Sequence, residues 1–451
     1  MEKINGWLRV NEKEKNDIFK FSDGYIEFLN KVKTEREAVL YITSILLDNG
    51  FIDISKVDKL YPGDKVFYVN KNKSVFASVI GSKSISHGIN IVGSHIDSPR
   101  LDLKPNPIIL EEEQVLFKTH YYGGIKKYQW TCIPLSMRGV VIKTNGSKIN
   151  INIGEDVNDP IFTITDLLPH LAKKQEDKKL NDAIEGESLN ILIGNIPMSA
   201  DKDAKVNILD ILNKKYKINE DDFLSAEIEF VPAFSAKSLG FDRSMVAGYG
   251  QDDRVCSYTN LEAIINTDSP THTCVSIFAD KEEIGSMGNT GMMSLAFDAF
   301  ILEIMEKLDV SSGKLNSIFV NSRMLSADVD GAMDANYKEA FDKYNASYIG
   351  HGIEFNKYTG GRGKSGASDA NAEYLAYVRG IMENNNISYQ VSELGKIDLG
   401  GGGTIAYILA NKGVDVVDCG VPVLSMHSPF EVTSKYDIYM AYKAYNCFFK
   451  N

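Results

Sequence analysis

No stretch of the chain approaches about 18 uninterrupted apolar residues, so no transmembrane helix is expected. Residues Met1 to Gly6 lack the basic segment followed by an apolar one that marks a secretory leader. Cysteine is scarce: there are five, Cys132, Cys256, Cys274, Cys419 and Cys447, and no two form a CxxC. An odd number beside apolar runs reads as reduced, structural thiols of a reducing compartment. Positive charge is also short, with 49 basic residues against 61 acidic and a net charge of −12. That balance excludes a nucleic acid or an anionic membrane as the main partner. No repeat of fixed period is present. A cytoplasmic protein follows by elimination.

What is present is ordinary globular composition, 43% hydrophobic and 24% charged, over 451 residues. That length exceeds what one core usually organises, so two domains are expected. Residues 11 to 50 carry apolar positions at helical spacing, closed by Asn49-Gly50. From about Lys104 to residue 236 strand signals dominate, with a hairpin at Val140 to Ile151 whose turn is Asn145-Gly146. Lys173 to Glu187 reads as a solvated loop or short helix. From 238 onward strand, loop and helix alternate, with strands at Cys274–Ala279, Ser317–Val320, Val414–Val417 and Val421–Leu424. Helices are expected at Arg254–Ile265, Thr290–Met305, Asp369–Met382, Thr404–Ala410 and Lys435–Phe449. The expected fold is α/β, a mixed sheet between helices. Residues 1–103 and 237–451 form one discontinuous domain, and 104–236 an inserted β-rich domain.

Chemistry-bearing residues gather where apolar strands end. Ile89 to Val92 reads as a buried strand, followed by His95 and Asp97, which face the same way in extended backbone. Asp252-Asp253 opens a helix, where two acids complement the dipole and cap free N–H groups; the functional alternative makes one a metal-bridging carboxylate. Glu282-Glu283 follows the strand ending at Ala279, so adjacent glutamates can divide two tasks, binding a metal and moving a proton. Asp328 follows another strand. The acids at 328, 330 and 334 fail as a calcium loop, because Gly331 comes too early and no Glu stands at the twelfth position. A last strand ends at His427. Two histidines with three or four carboxylates at strand ends suit a pair of zinc ions or similar metals, in the place where open α/β sheets bind ligands. His87, His120, His272 and His351 read as loop or surface residues. Gly400 to Gly403 lacks the lysine of a phosphate loop, and Gly363-Lys364-Ser365 lacks the first glycine of one.

Together these motifs resemble the aspartyl aminopeptidase and vacuolar aminopeptidase I family of dizinc metallopeptidases, closest to its bacterial aminopeptidase 1 branch. The matching stretches are Ser94 to Arg100, Tyr122-Gly123-Gly124, Leu168 to Ala172, Asp252 to Arg254, Asp280 to Ser286, Ser326 to Asp328 and Met426 to Ser428. They stand in the family's order across residues 94 to 428. The resemblance implies a metal-dependent aminopeptidase with a zinc-exopeptidase-like fold. It implies two divalent ions per subunit, zinc with cobalt or manganese also feasible. His95 and Asp328 would hold one ion, Glu283 and His427 the other, and Asp252 would bridge them. Asp253 would be a neighbour, Asp97 would orient His95, and Glu282 would be the general base. The insertion would serve dimerisation, with His170 reaching a neighbouring active site to hold substrate, or adding a metal ligand. Peptides would be the substrates, and the assembly a homo-oligomer, a tetrahedral dodecamer.

The chain departs from the aspartyl-specific pattern. Relatives of that kind carry histidines just after the Ser-x-Asp motif, where this chain has Gly331 and Asp334. That favours neutral or broad specificity for the N-terminal residue, although Lys357, Arg362 and Lys364 argue the other way. Two alternatives remain: a related dizinc deacylase or carboxypeptidase, and a non-catalytic assembly protein on the same scaffold.

Overall fold

The computed structural model of the protein describes residues 4–451. It divides into two compact units. The first runs to Asp97 and takes in Ala236–Met426 and Phe430–Asn451; the second is Ser98–Ser235 with His427–Pro429. The edge set at residue 104 falls inside the strand Arg100–Glu111. Both ends of that strand, Arg100–Leu103 and Ile108–Glu111, pair within the second unit's sheet, and the compact unit begins earlier, at Ser98.

The first unit is built on a nine-stranded sheet. Its strands are β1 (Ile52–Asp53), β2 (Lys65–Asn70), β3 (Ser74–Val79), β4 (Ile89–His95), β5 (Thr273–Ala279), β6 (Arg323–Ala327), β7 (Ile353–Asn356), β8 (Tyr389–Ser392) and β9 (Asp415–Gly420). They lie in the order β1-β2-β3-β5-β4-β6-β9-β7-β8. The central four, β5, β4, β6 and β9, are parallel, and β5–β3 and β9–β7 are antiparallel, so the sheet is mixed as expected. Parallel strands are covered on both faces, which is why they read as continuous apolar runs. The two faces alternate along each strand. Val92, Phe278, Leu325 and Val417 join one core, with helices α1 (Glu12–Lys31), α2 (Glu35–Asp48), α3 (Gln251–Ile265), α5 (Ala372–Asn384) and α6 (Lys435–Lys450). Ile91, Ile277, Met324 and Val416 join the other, with α4 (Ala296–Lys307). Each large side chain buried this way contributes about 1.5–3 kcal/mol.

Local signals fix the helix ends. Thr34 and Glu37 form a reciprocal capping box at the start of α2, and Thr34 Oγ1 accepts the Glu37 N–H at 3.3 Å. The segment Ser317–Val320, expected as a strand, lies in the helix Leu315–Val320, and the strand that leads to Asp328 is β6. A short apolar run does not distinguish a buried strand from a buried helix. A smaller five-stranded sheet also belongs to this unit, with strands at Lys237–Leu239, Met245–Gly248, Glu431–Ser434, Pro422–Leu424 and Asp330–Gly331.

The second unit has a six-stranded, antiparallel sheet. Its hairpin turn is wider than a two-residue Asn-Gly loop. The last pair is Ile142–Lys148, only Gly146 of the Asn145-Gly146 pair has positive φ (83°), and Asn145 Oδ1 accepts the Ser147 N–H at 2.9 Å. The side chain of Asn145 thereby supplies an Asx turn in place of a left-handed backbone. Lys173–Glu176 and Leu180–Ala183 are short helices. Cys256, Cys274 and Cys419 are buried free thiols, and Cys132 is exposed. Among the described residues, no helix is long and apolar enough to cross a membrane.

Candidate metal centre

The parallel strands deliver their side chains to one edge. His95 is the last residue of β4, Glu282 and Glu283 follow β5, and Asp328 follows β6. His95 is buried, and its Nε2 lies 3.2 Å from Asp252 Oδ1, 3.7 Å from Asp328 Oδ1 and 3.9 Å from Glu282 Oε2. Two sets of donor atoms converge within 4.8 Å of one another: His95 with Glu282 and Asp328, and His95 with Asp252 and Glu283.

Asp97 ties two strand ends together. His95 Nδ1 donates to the Asp97 carbonyl at 3.0 Å, and the Asp97 carboxylate is 3.3 Å from the same nitrogen. With Nδ1 carrying the hydrogen, the lone pair is on Nε2, the nitrogen that faces the acids. The Asp97 carboxylate also accepts the backbone N–H groups of Glu282 (3.2 Å) and Glu283 (3.3 Å). These open a single 3-10 turn, Glu282–Ile284, which Lys281 enters and Gly285 leaves in left-handed conformation. Asp97 thereby holds both glutamates as well as the histidine.

The acids at 252 and 253 do not cap their helix, contrary to the capping reading. Both depart from helical backbone, and the peptide between them is cis. Asp252 turns to His95. Asp253, fully buried, accepts the His95 backbone N–H at 3.2 Å and lies in neither donor set. The helix start is capped instead by Glu431, whose Oε2 accepts from Gln251 N (2.6 Å) and Asp252 N (3.2 Å). Spacing gives no hint of this contact, which joins residues 180 apart in the chain. Ser257 supports the same corner by donating to the His95 carbonyl at 2.7 Å.

Burial and mutual repulsion shift the acids of this corner. Burial, with Asp328, Asp97 and Asp252 adding to it, pushes Glu282 up to about 8, against the pull of His95. Burial also raises Asp328. Burial disfavours a charged His95, yet Asp252, Asp328 and Asp97 outweigh it and hold the ring well above its ordinary range. One imidazole nitrogen and four carboxylates suit a borderline divalent ion such as zinc, so the residues fit the metal chemistry expected of them.

His427 and His170 belong to the second unit and lie in neither donor set. His427 Nδ1 donates to Gly124 O at 2.8 Å, which fixes the tautomer with its lone pair on Nε2. Gly124 has no room for a side chain without crowding: a Cβ there would stand 3.3 Å from that ring nitrogen. His170 is exposed on the turn Pro169–Leu171.

The sequence profile described as "Aminopeptidase I zinc metalloprotease (M18)" matches residues 28–449. The chain belongs to the M18 family. Its activity is therefore that of a zinc-dependent aminopeptidase. A Clostridium acetobutylicum relative named "Probable M18 family aminopeptidase 1" is 48% identical, covering 99% of this chain and 98% of the relative. The crystal structure of an M18 aminopeptidase from Thermotoga maritima superposes with a TM-score of 0.96 at 44% identity, covering 100% of this chain and 99% of that one. A dodecamer of S. cerevisiae mApe1 matches with a TM-score of 0.77 at 19% identity over 98% of each chain, a likeness of fold alone.

Proposed function

We propose that this M18 enzyme removes N-terminal residues from peptides by using two zinc ions and Glu282 as the proton-transfer group. His95, Asp328, Asp252, Glu283 and His427 would hold the ions, the first two on one side and Glu283 with His427 on the other, with the Asp252 carboxylate shared between them. The observation that carries the reading is the convergence of carboxylate oxygens from Asp252, Glu282, Glu283 and Asp328 on the buried His95. Such a pair of ions supplies Lewis acidity toward the scissile carbonyl and a nucleophilic water near neutral pH. Glu282 takes the proton from the attacking water and returns it to the leaving amine. Asp97 keeps His95 in the coordinating tautomer and fixes the turn that presents Glu282 and Glu283.

The 104–236 insertion serves dimerisation, and its His170 reaches a neighbouring subunit to hold the substrate carbonyl. The assembly is a tetrahedral dodecamer, consistent with the dodecameric yeast protein of the same fold. The protein is cytoplasmic. Gly331 and Asp334, in place of the histidines of aspartyl-specific relatives, favour neutral or broad specificity.

A panel of aminoacyl reporter substrates, each with a free and an acetylated amine, tests the reading. Cleavage restricted to free amines, lost with chelator and restored by zinc, is the expected result. Turnover of the acetylated series would make the protein a deacylase; a strict preference for Asp or Glu would refute the specificity assignment.

A further inference from the structure

A cavity opens beyond the carboxyl edge of the parallel strands, the edge that carries the metal centre. The chain leaves β6 through Asp328 and runs outward beside the stretch from Cys419 to Val423. Asp328, Asp330 and Ala332 donate their N–H groups to the carbonyls of Cys419 (3.1 Å), Val421 (3.2 Å) and Val423 (2.9 Å). Met333, five residues past Asp328, is part of the wall of a cavity of about 1030 Å³. Five residues of backbone span at most about 18 Å, so this wall stands within that reach of Asp328.

The walls are stitched together by main chain. Met333 N–H donates to Ser347 O at 2.9 Å, Lys396 N–H to Ala340 O at 3.0 Å and Glu393 N–H to Asn345 O at 2.8 Å. The cavity is therefore built into the fold, as ligand pockets usually are.

Its lining has two chemistries. Phe341, Tyr344 and Ile397 offer apolar surface, and Tyr344 and Ile397 are 76% and 75% exposed. Lys338, Lys343 and Lys396 line the same cavity, with Lys343 Nζ over the Tyr344 ring at 4.9 Å. Among the described residues, no carboxylate forms an ion pair with any of these lysines. The acids of the lining are bound elsewhere: Asp342 accepts the Tyr344 N–H (3.0 Å) and the Asn345 amide (2.7 Å), and Glu393 accepts the Tyr358 hydroxyl at 2.5 Å. In a chain of net charge −12, three unpaired lysines beside an apolar wall reverse the sign locally. The complementary ligand has an apolar body and an anionic tip. The last residue of a peptide, a bulky side chain beside a free carboxylate, has that form. An extended peptide advances about 3.3 Å per residue, so about four to six residues reach from the metal centre to the cavity.

We propose that this cavity seats the C-terminal residue of a short peptide whose N-terminal residue lies at the metal centre. The proposal rests on the reading above that peptides are the substrates. Phe341, Tyr344 and Ile397 take an apolar side chain, and the lysines take the terminal carboxylate. The cavity thereby selects substrates by length and by a free C-terminus.

Two measurements on the zinc-loaded protein test this. In the first, an N-acetyl pentapeptide ending in phenylalanine is titrated into the protein by calorimetry, as the free acid and as the C-terminal amide. The acid should bind about tenfold more tightly, and added salt should narrow the difference. Lys343→Gln with Lys396→Gln should make acid and amide bind alike, and Tyr344→Ala, at an exposed position, should weaken both. In the second, a free-amine series of about two to eight residues ending in phenylalanine is hydrolysed, and KM should reach its minimum near five residues. Relative to an aminoacyl reporter, kcat/KM on the pentapeptide acid should fall about tenfold in the lysine variant, through KM. Equal binding of acid and amide by the wild type would overturn the proposal, as would a KM independent of length. A changed elution volume for Tyr344→Ala with unaltered peptide binding would also overturn it, by assigning the cavity to a second copy of the chain. Calorimetry needs no turnover, so acid-selective binding without hydrolysis of any peptide would sink the aminopeptidase reading and leave this site standing.

Discussion

Asp97→Asn changes one atom and tests how the catalytic corner is held. In the structure both carboxylate oxygens are engaged, Oδ1 by the Glu282 N–H at 3.2 Å and Oδ2 by the Glu283 N–H at 3.3 Å. An asparagine keeps one acceptor and sets an NH2 group against the other N–H. One buried donor then lacks a partner, which costs about 1–3 kcal/mol. The negative charge 3.3 Å from His95 Nδ1 is lost as well, although the Asp97 carbonyl still accepts from that ring. The damage therefore falls on the turn that carries Glu282 and Glu283 more than on the tautomer of His95. Groups that orient metal ligands commonly alter affinity or activity by about 10–100-fold, and that is the fall expected here. Two assays read it: kcat/KM on a free-amine reporter, and zinc affinity by competition with a chromogenic chelator. Thermal unfolding should drop by only a few degrees. Wild-type kcat/KM and zinc affinity in Asp97→Asn would refute the claim that this carboxylate positions the glutamates.

Four other outcomes are expected. Glu431→Ala leaves the N–H groups of Gln251 and Asp252 without their acceptor and should destabilise the protein by about 1–3 kcal/mol per group, read by denaturant unfolding, with weaker zinc binding. Phe278→Ala empties a fully buried site in the core shared with α3 and α6 and should cost about 3–5 kcal/mol in the same assay. Gly124→Ala sets a Cβ 3.3 Å from His427 Nδ1 and should lower kcat/KM by up to about tenfold with an unchanged melting temperature. Removing zinc leaves the carboxylates around His95 without their counter-charge, so chelation should lower the melting temperature and zinc should restore it.

Two of the strands that carry the site were legible because both of their faces are buried: β4 and β5 read as apolar runs and end where chemistry-bearing residues begin. His95, Asp252, Glu282, Glu283 and Asp328 stand beside glycines, turns or strand ends that local pattern reveals, and the structure brings them together. The misreadings have physical causes. Two acids before a helix look like caps, yet Asp252 and Asp253 are turned to His95, and the capping falls to Glu431 from a distant strand. The helix Leu315–Val320 passed for a strand because six mostly apolar residues fit either period. Contacts such as Glu431 with Gln251, or Gly124 with His427, are made only by tertiary packing and leave no trace in local spacing.

Everything in the proposed chemistry turns on Glu282 moving the proton while its neighbour Glu283 binds metal. The most direct measurement is turnover and metal content of Glu282→Gln on the same preparation, with wild type alongside. About two zinc ions per chain are expected in both proteins, with turnover lower by about 10²–10⁴-fold in the variant. Turnover near wild type, or loss of zinc together with activity, would contradict it: the first would remove Glu282 from the chemistry, and the second would make it a ligand.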